Sequence, residues 1–193
     1  ATDAYEESRV IIAKFMNASS DKNIVITSSV TESINLVAAT WGRKFLKEGD
    51  EVIVSEMEHH ANIVPWQMLR EEKGIIIKVA PVRDDGSFHL EDFEACLSSR
   101  TKLVAITEVS NVLGTRVPIK ELTRIAHERG AKVLVDGAQG IVHQGITVNA
   151  LQPCGGLLHL QFHQAQIQRS NLATGLFHRQ MGVCLDRGMA GPL

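Results

Sequence analysis

The sequence predicts an α/β fold, a mostly parallel sheet with helices on both faces. Two observations carry this. Over the first 150 residues, short apolar runs suited to buried strands alternate with segments of helical periodicity. The punctuation also follows the order that helices need: Pro65 and Pro118 lie just inside two starts, and Gly74 and Gly130 follow the corresponding ends.

Taken in order, Asp3 to Met16 reads as an amphipathic helix, with Tyr5, Val10, Ile11 and Phe15 as its expected core contacts. Asn23 to Thr27 is a short strand. Ser28-Ser29-Val30 then turns into a helix opening at Thr31, where Ile34, Val37, Ala38 and Trp41 share a face and Gly42 weakens the far end. Glu51 to Ser55 is the next strand, followed by a polar loop over Glu56 to Asn62 and a helix to Lys73. Ile75 to Ala80 is a strand, Asp84-Asp85-Gly86 a turn, Leu90 to Leu97 a short helix and Leu103 to Thr107 a buried strand. A helix from Pro118 and a strand from Lys132 to Val135 complete the series, which closes on Asp136-Gly137-Ala138-Gln139. From Gln152 onward no long periodic segment appears, and no element is predicted there.

The 193 residues are 44% hydrophobic and 22% charged, enough to build a core and too apolar for disorder throughout. A net charge of −2 offers no footprint for nucleic acid or an anionic membrane. No apolar run reaches the length of a membrane span, and residues 1–20 do not resemble a signal peptide. Cys96, Cys154 and Cys184 form no CxxC pair and no disulfide ladder, which predicts a reducing, cytoplasmic setting. Asn17-Ala18-Ser19 is a glycosylation sequon by pattern alone.

In open α/β sheets ligands gather outside the carboxyl ends of the strands. Four polar clusters fall there: Ser28 to Glu32, Glu56 to Asn62, Ser110-Asn111 and Asp136 to Gln139. Ser28 to Thr31 can aim backbone N–H groups at an anion at a helix start, or serve only as a helix cap. His59-His60 suits a proton carrier, a ring stacked on a flat cofactor or a solvated pair; a third ligand at metal spacing is missing, so no metal site is expected. Asp136 can cap a turn or hold a proton on a heterocyclic nitrogen. His159 and His163 have the spacing of a zinc pair on a helix, but their surroundings predict no helix. Neither GxGxxG nor GxxxxGK[ST] is present, which argues against dinucleotide and NTPase sites.

Four motifs carry a family resemblance: T-E-S-I-N-L-V-A (31–38), M-E-H-H-A-N-I-V-P-W-Q (57–67), S-N-V-L-G-T (110–115) and V-L-V-D-G-A-Q (133–139). In this order and spacing the chain resembles the large domain of the SufS-type cysteine desulfurase/selenocysteine lyase family, in the class V aminotransferase group. The resemblance implies pyridoxal 5′-phosphate (PLP) as cofactor and cleavage of the C–S bond of cysteine to alanine and an enzyme persulfide, for iron–sulfur cluster assembly. It implies that Thr31 and the Val30 amide hold the phosphate, and that His59 stacks on the ring and moves protons as the catalytic residue. It places Asn111 and Gln139 near the ring hydroxyl and pairs Asp136 with the ring nitrogen. L-cysteine or L-selenocysteine as substrate, a sulfur-acceptor protein and a homodimer follow from the same source. The alternatives are a selenocysteine lyase or another class V enzyme, or a non-catalytic remnant that binds PLP weakly.

The resemblance covers residues 1–151 as a partial PLP-binding large domain and leaves 152–193 as a non-matching tail. Only Arg169, Arg179, Asp186 and Arg187 are charged beyond residue 150, whereas six of the nine glutamines lie there. The family's Schiff-base lysine should fall near position 162, yet the sequence reads His159-Leu160-Gln161-Phe162-His163 and no lysine follows Lys132. None of the three cysteines matches the context of the family's sulfur-accepting cysteine. These departures predict a truncated chain, inactive as written, whose residues from about Gln152 come from a shifted reading frame.

Overall fold

Apolar residues alternate in side along each central strand, and this alternation divides the molecule into two cores. A computed structural model describes residues 2–140, 157–161 and 181–185. The elements are α1 (Thr2–Phe15), β1 (Ile24–Thr27), α2 (Val30–Val37), α3 (Arg43–Phe45), β2 (Glu51–Ser55), α4 (Val64–Lys73) and β3 (Ile76–Ala80). They continue with α5 (Leu90–Cys96), β4 (Thr101–Thr107), α6 (Ile119–Glu128), β5 (Lys132–Asp136), β6 (Leu157–Gln161) and β7 (Met181–Leu185).

Among the described residues the sheet runs β1-β7-β6-β5-β4-β2-β3. The β3-β2-β4-β5-β6 block is parallel, while β7 pairs antiparallel with both β6 and β1. Ile53, Val104, Ile106, Val133 and Val135 face one core with Ile12 and Met16 from the α1 region, Phe93 of α5 and Leu122 of α6. Their neighbours Val52, Val54, Leu103, Ala105 and Leu134 face the other, with Ile34 of α2 and Trp66 and Leu69 of α4. Helices therefore cover both faces, as predicted.

Two details differ from the sequence reading. In α1 the buried residues are Ser8, Ile12 and Ala13, followed by Met16; Tyr5, Val10 and Phe15 are exposed and Ile11 is half-buried. The helix is apolar around much of its circumference, so periodicity alone does not single out its inner face. Its orientation is fixed instead by Arg9, which donates from Nε to the Ile24 carbonyl (3.0 Å) and from Nη2 to the Asp21 carbonyl (2.9 Å). The second difference is β6 and β7, which lie where no element was predicted. Each is a five-residue run, LLHLQ or MGVCL, too short for its periodicity to separate strand from other structure.

Gly42 does not end its helix. The chain passes from α2 through a π-helical turn at Ala38–Gly42 into α3. Gly42 packs against α4, where an added Cβ would lie 2.7 Å from Leu69 Cδ1. Trp41 is half-buried beside this contact and touches Phe45.

Candidate functional site

The carboxyl ends of β1, β2, β4 and β5 open on a cleft of about 270 Å³. Ser29, Val30 and Thr31 line it from the start of α2, His59 and Ala61 from the loop after β2, and Thr107, Val109 and Asn111 from the end of β4. Asp136, Ala138 and Gln139 line it from the end of β5. All six residues singled out from the sequence, Val30, Thr31, His59, Asn111, Asp136 and Gln139, therefore share one cleft.

Each wall has a local cause. Ser29 is the N-cap of α2 and accepts from the Glu32 N–H at 3.0 Å. Glu32 reaches back to accept from the Ser28 N–H (2.6 Å) and hydroxyl (2.5 Å), and these bonds hold its carboxyl below the usual range. The cap points the first N–H groups of α2 toward the cleft, with the positive end of the helix dipole. That is a place for a phosphate or another anion.

Opposite in chemistry is Asp136, a carboxylate only 5% exposed at the end of β5. Its Oδ1 accepts from the Ala138 N–H at 3.0 Å, which closes a tight turn. Burial raises its pKa above the ordinary aspartate value, while the Ala138 bond and nearby His59 oppose the rise. A buried carboxylate on a cleft wall is stabilised by a cationic partner, and a protonated ring nitrogen supplies one. His59 stands in the loop with Nδ1 accepting from the Ala61 N–H at 3.2 Å, its ring edge-on to His60. The anion seat, the buried carboxylate and the exposed imidazole together fit a flat, phosphorylated, nitrogen-containing ring. Among the described residues no three His, Cys, Asp or Glu side chains converge as a metal set.

Sequence reasoning missed Glu58. It is 8% exposed and lies beneath the His59 loop. Ser55 Oγ (2.5 Å) and the Thr107 N–H (2.9 Å) donate to its Oε1, and Asn62 Nδ2 (2.7 Å) donates to Oε2. Burial pushes its pKa up to about 7 against these three bonds, and the charge of Asp136 adds to the rise. Its i,i+4 spacing to Asn62 was a usable signal, hidden because an acidic residue in a polar loop reads as solvated.

Some expectations fall outside this geometry. His159 lies on a strand, its backbone in register with Asp136, not on a helix. His163, Cys154 and the position near 162 lie outside the described residues. Among the described residues no helix is long and apolar enough to cross a membrane.

Comparison with known proteins places the chain in a family. The model of the aminotransferase class-V family matches residues 1–153. A cysteine desulfurase of Dickeya dadantii is 52% identical over 151 residues, covering 78% of this chain and 37% of that protein. One from Synechococcus elongatus is 50% identical over 151 residues, 78% of this chain and 24% of that protein. The chain thus spans well under half the length of these curated relatives. Among solved structures, a cysteine desulfurase from Escherichia coli superposes with a TM-score of 0.82 at 31% identity, over 97% of this chain and 44% of that one. The apo cysteine desulfurase of Thermococcus onnurineus gives 0.82 at 33% identity, over 96% and 43%. With a matching family model over most of its length, this chain belongs to the aminotransferase class-V family.

Proposed function

We propose that the chain carries the cofactor half of a PLP-dependent cysteine desulfurase. The observation that supports this best is the convergence of the α2 N-terminus, His59 and buried Asp136 on one cleft. Thr31 and the Val30 amide bind the phosphate, aided by the helix dipole. Asp136 keeps the ring nitrogen protonated, His59 covers the ring face and moves a proton, and Asn111 and Gln139 orient the ring through its hydroxyl. PLP, when bound, supplies an electron sink for charge developing on the substrate α-carbon. Val109, Ala61 and Ala138 give the cleft apolar wall that excludes water from the ring.

The substrate by this reading is L-cysteine, with L-selenocysteine or another class V substrate as the alternative, and a sulfur-acceptor protein takes the product. A homodimer is the expected assembly; Val112, 80% exposed directly after Asn111, supports a covered surface beside the cleft. The cysteine pattern supports a cytoplasmic setting. By this reading residues 1–193 as written bind PLP reversibly and are inactive, because no lysine stands near position 162, where the resemblance puts the Schiff-base lysine. The family match ends at residue 153, near the change in composition, which supports a shifted frame from about Gln152. The nucleotide sequence over codons 150 to 193 tests that point: another frame should encode a lysine near position 162.

The cofactor reading is tested by titrating the full chain with PLP and following absorbance. Saturable binding that disappears in Asp136→Ala is expected. Absence of binding, or binding indifferent to Asp136, overturns the reading. A covalent adduct at one site after borohydride would overturn the inactive-copy part of it.

A further inference from the structure

Three hydrogen-bond donors converge on the one carboxyl of Glu58, and each comes from a different part of the cleft's frame. Ser55 is the last residue of β2, Thr107 the last of β4, and Asn62 ends the short helical turn His60–Asn62, two residues before α4 begins at Val64. The Thr107 N–H and the Asn62 amide can only donate, so the site needs an acceptor on both oxygens. Asn62 cannot turn over, because its Oδ1 accepts from Trp66 Nε1 at 3.2 Å and Trp66 is fully buried. A glutamine at position 58 would set one NH₂ against another, so a carboxyl is the group that satisfies all three donors.

The consequence falls on the next residue. His59 leaves the buried frame immediately after Glu58, and its ring is held by the Ala61 N–H at Nδ1, so the neutral ring carries its proton on Nε2. On the other side, Thr107 is in register with Asp136 across β4 and β5. We propose that Glu58 is a positioning residue of the cleft: by binding Ser55, Asn62 and Thr107 it locks the loop that presents His59 against the strand pair that presents Asp136. The charge that acts on it is Asp136 of β5, and Asp136 is in turn acted on by His59 of the loop. The effect on cofactor binding rests on the PLP reading above; the effect on His59 does not.

Three forms of the full chain test this: wild type, E58Q and the double variant E58Q/N62D. The amide introduced at 58 loses its bond to Asn62, while a carboxylate at 62 accepts from that amide and from Trp66 together. Two readouts are taken, the ¹⁵N pattern of the His59 ring (assigned by its loss in His59→Asn) and the dissociation constant for PLP. Wild type is expected to show His59 as a single Nε2–H tautomer at pH 8. E58Q should show an averaged tautomer and about tenfold weaker PLP binding, the size of one charge-assisted hydrogen bond. The double variant should restore both to within about twofold.

An unchanged His59 pattern in E58Q overturns the proposal, and so does a double variant no better than E58Q. If wild type binds no PLP while His59 still follows Glu58, the cofactor reading falls and the positioning role stands. Should E58Q fail to fold by circular dichroism, S55A removes a single donor. A partial loss of the Nε2–H signature then supports the role, and an unaltered signature overturns it.

Discussion

Glu51 and Thr101 face each other across β2 and β4 at the amino ends of the strands, and Thr101 Oγ1 donates to the Glu51 carboxylate at 3.1 Å. Ser98 Oγ donates to the same oxygen at 2.6 Å, and Lys78 and Arg100 lie 2.9 and 3.0 Å from the carboxylate. The sheet thus carries two buried glutamates at opposite ends: Glu51 beneath, paired with cations, and Glu58 beside the cleft, facing Asp136. Their surroundings push them in opposite directions.

Burial opposes ionisation of Glu51, but the bonds from Ser98, Lys78 and Thr101 outweigh it and bring the pKa down from 4.5 to about 2. A lowered folded pKa gives stability that is full above 4.5 and is lost as pH falls toward 2. Glu51→Gln should therefore cost about 2 kcal/mol at pH 7, less than a fully buried broken pair because Lys78 and Arg100 are partly in water. Urea denaturation at pH 7 and at pH 3 checks this: the gap between variant and wild type narrows at pH 3. An equal gap at both values would count against it.

For Glu58 the sign reverses. Burial raises its folded pKa from 4.5 to about 7, so its contribution is full below 4.5 and declines as pH rises to 7. In E58Q this slope between pH 4.5 and 7 should disappear from the stability profile. Asp136→Asn removes a neighbouring negative charge and should lower the Glu58 pKa, read from its carboxyl ¹³C shift. A Glu58 titration insensitive to Asp136 would refute the coupling.

The buried face of α1 gives a direct test by substitution. Ile12→Ala should cost about 2–4 kcal/mol, because Ile12 is 7% exposed in the core beside β1. Val10→Lys should change stability by less than about 0.5 kcal/mol, since Val10 is exposed. Chemical denaturation of the two variants separates this orientation from the one that periodicity suggested. The reversed order of costs would return Val10 to the core.

These cases mark what the sequence reveals. The central strands were legible because both faces are covered: EVIVS and LVAIT are short runs rich in β-branched residues, each ended by polar residues and set between helical segments. The cleft was legible because its residues cluster at strand ends, where topology alone gathers them. Two features were hidden by physics that acts at a distance in sequence. The inner face of α1 is chosen by Arg9 reaching the Ile24 and Asp21 carbonyls, a contact no local periodicity records. Glu58 is buried by the strand ends around it, and the Thr107 N–H that binds it is far along the chain.

Gly74 closes α4 with φ at +72°, and an added Cβ would lie 3.0 Å from Glu48 Cγ. Gly49, at φ +79°, has nothing within 4 Å of that position. Gly49→Ala should cost about 1 kcal/mol from left-handed strain alone, and Gly74→Ala about 1–2 kcal/mol because the Glu48 stem must also move. Thermal unfolding of both variants measures the difference. Equal costs would show that Glu48 yields freely.

The two ends of the proposed cofactor site should separate under a change of ligand. Thr31 is assigned to the phosphate and Asp136 to the ring nitrogen, so only the first depends on a phosphate being present. Thr31→Ala should weaken PLP binding about tenfold, as expected for one hydrogen bond to a charged group. The same variant should bind unphosphorylated pyridoxal as wild type does. Asp136→Asn should weaken both ligands, because the ring nitrogen loses its buried counter-charge in either case. Fluorescence titration of the two variants with the two ligands gives four ratios. If Thr31→Ala impairs pyridoxal as much as PLP, the start of α2 is not the phosphate seat. If Asp136→Asn impairs neither, the buried carboxylate serves the turn at Ala138 and not the ring.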